Sequence, residues 1–379
     1  MEASWLETRW ARPLYLAFVF CLALGLLQAI KLYLRRQRLL RDLRAFPAPP
    51  THWFYGHQKF LQEDKMEKLE ETVEKYPCAF PCWVGPFQAF FFIYDPDYAK
   101  TFLSRTDPKS QYPYRFMTPC LGKGLLNLDG PKWFQHRRLL TPGFHCDILK
   151  TYVDMMAHSV NTMLAENEDS FSNADLRSEV NTFMLAGHDT SAVSLSWLLY
   201  CLALNPEHQE RCREEIRSIL GDGSSITWDQ LGEMSYTTMC IKEMFRLIPP
   251  VPSISRELSK PLTFPDGRSL PAGITVVLSI WGLHHNPAVW KSPKIFDPLR
   301  FTKENSDQRH PYAFLPFSSG PRNCIGEQFA ILELKVAIAL ILLHFKVTPD
   351  LTRPPVFSNH IILKPKHGIH LHLKKLPEC

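Results

Sequence analysis

Three things are scarce or missing in these 379 residues. There is no internal repeat and no long low-complexity tract, so the chain does not read as a solenoid, a propeller or a disordered array. Charge of one sign is scarce, the formal net charge being +5. It is also partly local, because Lys31, Arg35, Arg36, Arg38, Arg41 and Arg44 fall within fourteen residues. That cluster follows an apolar run, which argues for a membrane surface and against nucleic acid. The third absence concerns metal ligands. Cys78 and Cys82 have no matching second pair, and none of His136, His188, His284 and His285 has a partner at zinc spacing. What remains is globular composition, 45% hydrophobic with 31 prolines, enough for one large domain or two of ordinary size.

Leu14 to Ile30 contains no charged residue, and Gln28 alone interrupts it. With Lys31 to Leu34 the stretch reaches the roughly 20 residues that a bilayer-spanning helix needs. It exceeds the apolar region of a signal peptide, and no small-x-small cleavage site precedes the arginines, so a retained anchor is expected. The basic flank stays cytoplasmic, which places the N-terminus in the lumen and the rest in the cytosol, an arrangement suited to the endoplasmic reticulum. The ten cysteines are then expected to stay reduced. Phe46-Pro47-Ala48-Pro49-Pro50 is a stiff tether. The chain thus divides into an anchor at 1–34, a basic and proline-rich hinge at 35–50, and a globular part at 51–379.

Periodicity and capping predict helices at Pro131–Leu140, Asp147–Leu164, Ala174–Leu204 (capped by Ser172 or Asn173), Pro206–Leu220, Trp228–Leu247 and Glu327–Phe345. The third would span about 45 Å. From Val251 to Val277 the pattern is β-like, with Asp266-Gly267 as a hairpin turn, and Pro354 to Leu373 reads as terminal strands. The expected class is mainly α with a smaller β portion.

Cys324 lies in Phe317-Ser318-Ser319-Gly320-Pro321-Arg322-Asn323-Cys324-Ile325-Gly326, a Gly-rich loop that runs straight into an apolar helix. Backbone N–H groups at such a helix start are expected to favour the thiolate, the form that binds metal. Arg322 can pair with an anion held beside the sulfur. Haem offers both partners: iron for the sulfur and propionates for the guanidinium. A lone cysteine is otherwise more often a buried, inert thiol. In the long helix, Ala186-Gly187-His188-Asp189-Thr190 combines a residue without side-chain bulk with an alcohol able to bond back one turn. An acid beside that alcohol is a plausible proton relay. The bland alternative is a kinked core helix with a surface Asp. Glu243 and Arg246 put opposite charges at i and i+3, a pair worth only about 0–1 kcal/mol on a surface. Trp133 and Arg137 share a helix face at i and i+4.

The Phe-x-x-Gly-x-Arg-x-Cys-x-Gly pattern resembles the haem-binding signature of the cytochrome P450 superfamily, and the other segments match it in family order over nearly the whole sequence. The resemblance implies a haem-thiolate monooxygenase with Cys324 as the iron ligand and Phe317, Gly320, Arg322 and Gly326 shaping its loop. It implies that Trp133, Arg137 and Arg256 join Arg322 on the haem propionates. Asp189 and Thr190 would deliver protons for oxygen activation. Glu243, Arg246 and Arg300 (in Phe296-Asp297-Pro298-Leu299-Arg300-Phe301) would be locked together to anchor the cysteine loop. Electrons would come from an NADPH-dependent flavoprotein reductase. His136-Arg137-Arg138-Leu139-Leu140-Thr141-Pro142-Gly143-Phe144-His145 and His284-His285-Asn286-Pro287 look like family four, the fatty-acid ω-hydroxylases. The N-terminal segment and Leu185 to Thr190 look like its X subfamily. The implied substrate is a fatty acid or related lipid entering from the bilayer, with Val251, Pro252 and Ile254 in contact with it. Many members of that family esterify a Glu just before this Gly to haem; Ala186 stands there, so haem b is expected to be held without a covalent bond.

The sequence departs from the family in one place. Arg137 and Gly187 are fifty residues apart, where family members carry well over a hundred more, and the shortfall falls near 164–166. The helices that would be missing include those roofing the substrate pocket. Their loss would expose apolar surface at ~2.5 kcal/mol per 100 Å², against a typical net stability of about 5–15 kcal/mol. The alternative to an enzyme is therefore a shortened, non-catalytic isoform that binds haem poorly and does not turn over.

Overall fold

A computed structural model describes residues 3–58, 65–144, 172–221, 226–358 and 361–377. The apolar N-terminal run forms one helix, α1 (Ala3–Asp42). Pro13–Ala45 is long and apolar enough to cross a membrane, and none of its apolar window is buried within the protein. Leu14, Leu16, Phe18 and Phe20 stand open. Each such side chain forgoes about 1.5–3 kcal/mol while it faces water, and a bilayer removes that deficit. The proline-rich stretch begins inside the globule rather than outside it. Phe46 is buried and packs edge-on against Phe91, ring centroids 4.5 Å apart.

One core is built on a sheet of four strands, β1 (Ala79–Val84), β2 (Gln88–Ile93), β3 (Ser253–Glu257) and β6 (Thr275–Ser279). Their order is β1-β2-β6-β3, with β2 and β6 parallel and the other pairs antiparallel. Aromatic and β-branched residues such as Phe80, Phe91, Ile93 and Val276 fill it. The Asp266-Gly267 turn joins β4 (Leu262–Thr263) to β5 (Ser269–Leu270), and Gly267 adopts φ +83° there. Helix α2 (Pro96–Leu103) packs on this core through Tyr98, Phe102 and Leu103.

The second core is helical. It unites α4 (Asn173–Leu204), α5 (Pro206–Leu220), α6 (Trp228–Glu233), α7 (Ser235–Leu247) and α9 (Glu327–His344). Two further helices are α3 (Gly130–Leu140) and the short α8 (Ile280–His285). The Ser172 side chain caps α4 by accepting from Asp175 N at 3.2 Å. Val193, Trp197, Leu198, Cys201 and Leu202 then form its buried stripe. The N-terminal half lacks such a stripe, and Val180 and Met184 are exposed.

Two expectations are corrected. Trp228–Leu247 is not one helix, because Met234 leaves the helical region at φ −71°, ψ 68°. The new start is stabilised from outside: Glu215 of α5 accepts from the backbone N–H of Tyr236 at 2.6 Å and of Thr237 at 2.8 Å. Pro354–Leu373 is not strand throughout either. Strand β8 (Leu371–Lys375) pairs with β7 (Phe345–Pro349), and upstream, among the described residues, there is a single Phe357–Pro365 bridge. Pro354, Pro355 and Pro365 supply no N–H to a ladder. The helix expected at Asp147–Leu164 and the shortening near 164–166 lie outside the described residues.

Candidate haem-thiolate site

The cysteine loop is folded by its own backbone and seated against α2. Cys324 N donates to Phe317 O at 2.9 Å, and Asn323 N to Gly320 O at 3.1 Å. Gly320 has φ +75°, and a Cβ there would lie 2.2 Å from Leu103 O, so both conformation and space demand glycine. Phe317 meets Phe245 of α7 edge-on at 5.1 Å. Gly326, at φ −94°, precedes α9 and has no comparable crowding.

Cys324 is exposed on one side, yet the protein around its sulfur pushes the thiol up, and the Glu327 carboxylate adds to this. The Gly326 N–H, Arg137 and Lys109 pull the other way without prevailing. The Gly326 N–H favours the thiolate, and burial outweighs it.

The arginines differ in how they are occupied. Arg256 on β3 is 1% exposed, and its Nη1 donates to Arg105 O at 2.6 Å. Its Nε and Nη2 are buried with no partner among the described residues. Burial, and then the charge of Arg322, bring this guanidinium down to about 10. A buried cation with two unmade hydrogen bonds is costly, and a carboxylate satisfies both donors at once. Arg322 already donates to Asp129 Oδ1 at 2.8 Å and to Leu128 O, and it lies 4.5 Å over the buried Trp133 ring. Arg137 donates to Asn323 O at 2.9 Å and to its Oδ1 at 2.8 Å. These three arginines and Trp133 are thus brought around one loop, with free donors on Arg256. An anionic, thiolate-seeking group such as haem fits that donor set.

Glu243 and Arg246 are both fully buried. Arg246 Nε and Nη2 donate to the two Glu243 oxygens at 2.8 Å each. The rest of the guanidinium donates to the carbonyls of His284, Pro293 and Ile295. Arg300 Nε stands 3.4 Å from Glu243 Oε1 as an ion pair, while its fork holds the carbonyls of Lys291 and Ser292.

On α4, Thr190 Oγ1 donates to Ala186 O at 2.5 Å. A Cβ on Gly187 would meet nothing within 4 Å. Asp189 is ion-paired to Lys364 at 2.7 Å. Of the expected substrate contacts, Pro252 and Ile254 are buried, and Ile254 belongs to the sheet core. Val251 keeps part of its surface open. Sequence reasoning missed Asn323, Asp129, Lys364 and two histidines. His136 Nδ1 pairs with Glu179 at 2.6 Å, tying α3 to α4, and His284 Nε2 accepts from Leu315 N at 2.9 Å just before the cysteine loop. Among the described residues, no three His, Cys, Asp or Glu side chains gather as a metal site.

A family model described as Cytochrome P450 matches residues 47–167 and 149–372. The chain belongs to the cytochrome P450 family. Its members are haem-thiolate enzymes. The sequence is 61% identical to cytochrome P450 4X1 of Mus musculus and 60% to that of Homo sapiens, covering all of both chains in each case. Cytochrome P450 4Z1 of Homo sapiens is 42% identical, over 99% of this chain and all of that one. The alignment with the mouse protein runs over 507 positions against 379 residues here, so at least 128 of them hold no residue of this cytochrome P450. The solved heme domain of cytochrome P450DA superposes with a TM-score of 0.78 at 22% identity, covering 88% of this chain and 97% of that one, and shares the fold.

Proposed function

We propose that this cytochrome P450 is a membrane-anchored monooxygenase that inserts one oxygen atom of O2 into a lipophilic substrate, a fatty acid or related lipid. Electrons come from an NADPH-dependent flavoprotein reductase. The globular part faces the cytosol at the endoplasmic reticulum membrane, as the basic residues that end α1 favour. The observation that carries the reading is the pair of unmade hydrogen bonds on buried Arg256, near the cysteine loop. Haem b, when bound, supplies the redox chemistry that activates dioxygen. Cys324 holds it through sulfur. Arg256, Arg322, Arg137 and Trp133 neutralise and orient its propionates, and Glu243, Arg246 and Arg300 keep the loop segment in place. With Ala186 ahead of Gly187, no carboxylate is available there for an ester, so the haem is non-covalent. Asp189 and the Thr190 hydroxyl hold the protons that oxygen activation consumes.

A second reading, a shortened isoform that does not turn over, is favoured by the open Val180 and Met184 on α4. The absorption spectrum of the reduced, carbon monoxide-bound chain separates the two. A red-shifted thiolate Soret band that disappears in Cys324→Ala supports the enzyme; absence of any haem band supports the isoform.

A further inference from the structure

Lys364 reaches Asp189 from the far end of the sequence. Its Nζ donates to Asp189 Oδ1 at 2.7 Å. The segment that carries it is fixed to the same helix at a second point, where Trp197 Nε1 donates to Leu363 O at 3.0 Å. Trp197 and Leu363 are both buried. Asp189 and Trp197 are eight residues apart, two turns along one side of α4. The backbone of Lys364 is held as well: its O accepts from Ser358 N at 2.8 Å, and its N donates to Ile362 O at 2.9 Å. The ammonium, on a side chain 42% exposed, is therefore brought to α4 by a clamped strand of chain. Beside it, the Thr190 hydroxyl is committed to Ala186 O.

We infer that Lys364 is a positioning residue for proton delivery, fixing the place of the Asp189 carboxylate next to Thr190. The inference rests on the proposed role of Asp189. Two outcomes compete for the same electrons. Productive turnover joins O2, substrate R–H, two electrons and two protons into R–OH and water. The leak joins O2, two electrons and two protons into hydrogen peroxide. Both electrons come from NADPH through the reductase. A carboxylate held in one place favours the first, because protons must arrive on the correct side of the reacting oxygen before peroxide departs.

The test is peroxide released per NADPH oxidised by the full-length, haem-loaded chain with its reductase, using palmitate as the probe. Lys364→Met is expected to raise that ratio at least threefold, and Lys364→Arg to restore most of it. In an Asp189→Asn background, Lys364→Met should add nothing further. If Asp189→Asn leaves the ratio unchanged, the proton role of Asp189 fails, and the inference falls with it. If Asp189→Asn raises the ratio but Lys364→Met does not, or if the two effects multiply, the inference alone is overturned. A second readout needs no turnover. In urea unfolding, the midpoint shift of the double variant should not exceed the larger single shift, and additive shifts overturn the proposal even in a chain that oxidises nothing.

Discussion

Replacing Arg246 by lysine keeps the charge and removes the fork, which makes it a sharp test of how the cysteine loop is anchored. Arg246 is fully buried and donates five hydrogen bonds: two to Glu243 and one each to the carbonyls of His284, Pro293 and Ile295. A lysine has three donors on a single nitrogen and no planar spread, so at least two of these hydrogen bonds are lost, although Glu243 Oε1 keeps a second donor in Asp297 N. At about 1–3 kcal/mol for each buried hydrogen bond from a charged group, the expected loss is roughly 2–6 kcal/mol. A domain with a net stability of about 5–15 kcal/mol feels that strongly. Arg300→Lys is the control. That residue is partly exposed, and its link to Glu243 is a loose 3.4 Å ion pair, so it should cost about 1–2 kcal/mol through its carbonyl contacts. Urea unfolding followed by tryptophan fluorescence, with and without haem, measures both. Equal midpoint shifts for the two variants would refute the argument that the buried fork, and not charge, holds this corner together.

Gly320→Ala should abolish the thiolate Soret band, because its Cβ falls 2.2 Å from Leu103 O, whereas Gly326→Ala should keep it, the nearest atom lying 4.0 Å away; retention of the band in both would contradict this. Arg256→Met should act with opposite sign in the two states. The haem-free chain gains stability, since a guanidinium held down to about 10 implies a burial cost of roughly 3 kcal/mol, while the haem-loaded chain loses haem faster to apomyoglobin. Unchanged haem loss would remove Arg256 from the propionate site. His284 is held well below its ordinary value and His285 down to about 3, both chiefly by burial. The unfolded chain therefore binds protons that the folded one refuses. This stability is fully present above about pH 6.5 and declines as the pH falls toward 3, by up to about 1.4 kcal/mol per pH unit for each histidine. Urea midpoints at pH 7.5 and 5 give the slope, His285→Gln should lessen it, and a flat profile would tell against buried neutral histidines.

The parts of this protein legible in sequence are those whose partners are near in the chain or fixed by a rare residue type. Gly320 is readable because no other residue fits its backbone, and the boundaries of α5 because Pro206 opens it and Gly221 closes it. Glu243 and Arg246 are visible as an i, i+3 pair, but nothing in that spacing says that they are buried; this depends on α8 and residues 291–297 folding over them. Lys364 and Asp189, 175 residues apart, carry no local signal at all. The same is true of His284 and Leu315, and of Arg137 and Asn323. The break at Met234 has only a weak local signal, Gly232 two residues before it and Ser235 after it, and the new start depends on Glu215 capping from another helix.

Helix α4 behaves as a beam clamped at one end. From Val193 onward it is gripped by burial, which is indifferent to small sliding and strong in sum. Before that point it is strapped by polar contacts, His136 to Glu179, Lys132 to Asp175 and Asn181 to Cys120, each directional and modest on its own. Gly187 to Thr190 sit where the grip ends. Any bending of the strapped half is therefore concentrated at the segment proposed to deliver protons, so that small movements of α3 reach the acid and the alcohol as changes of angle. Amide exchange should show the boundary as a step, slow from Val193 and faster toward Asp175, placed next to the residues whose geometry matters most.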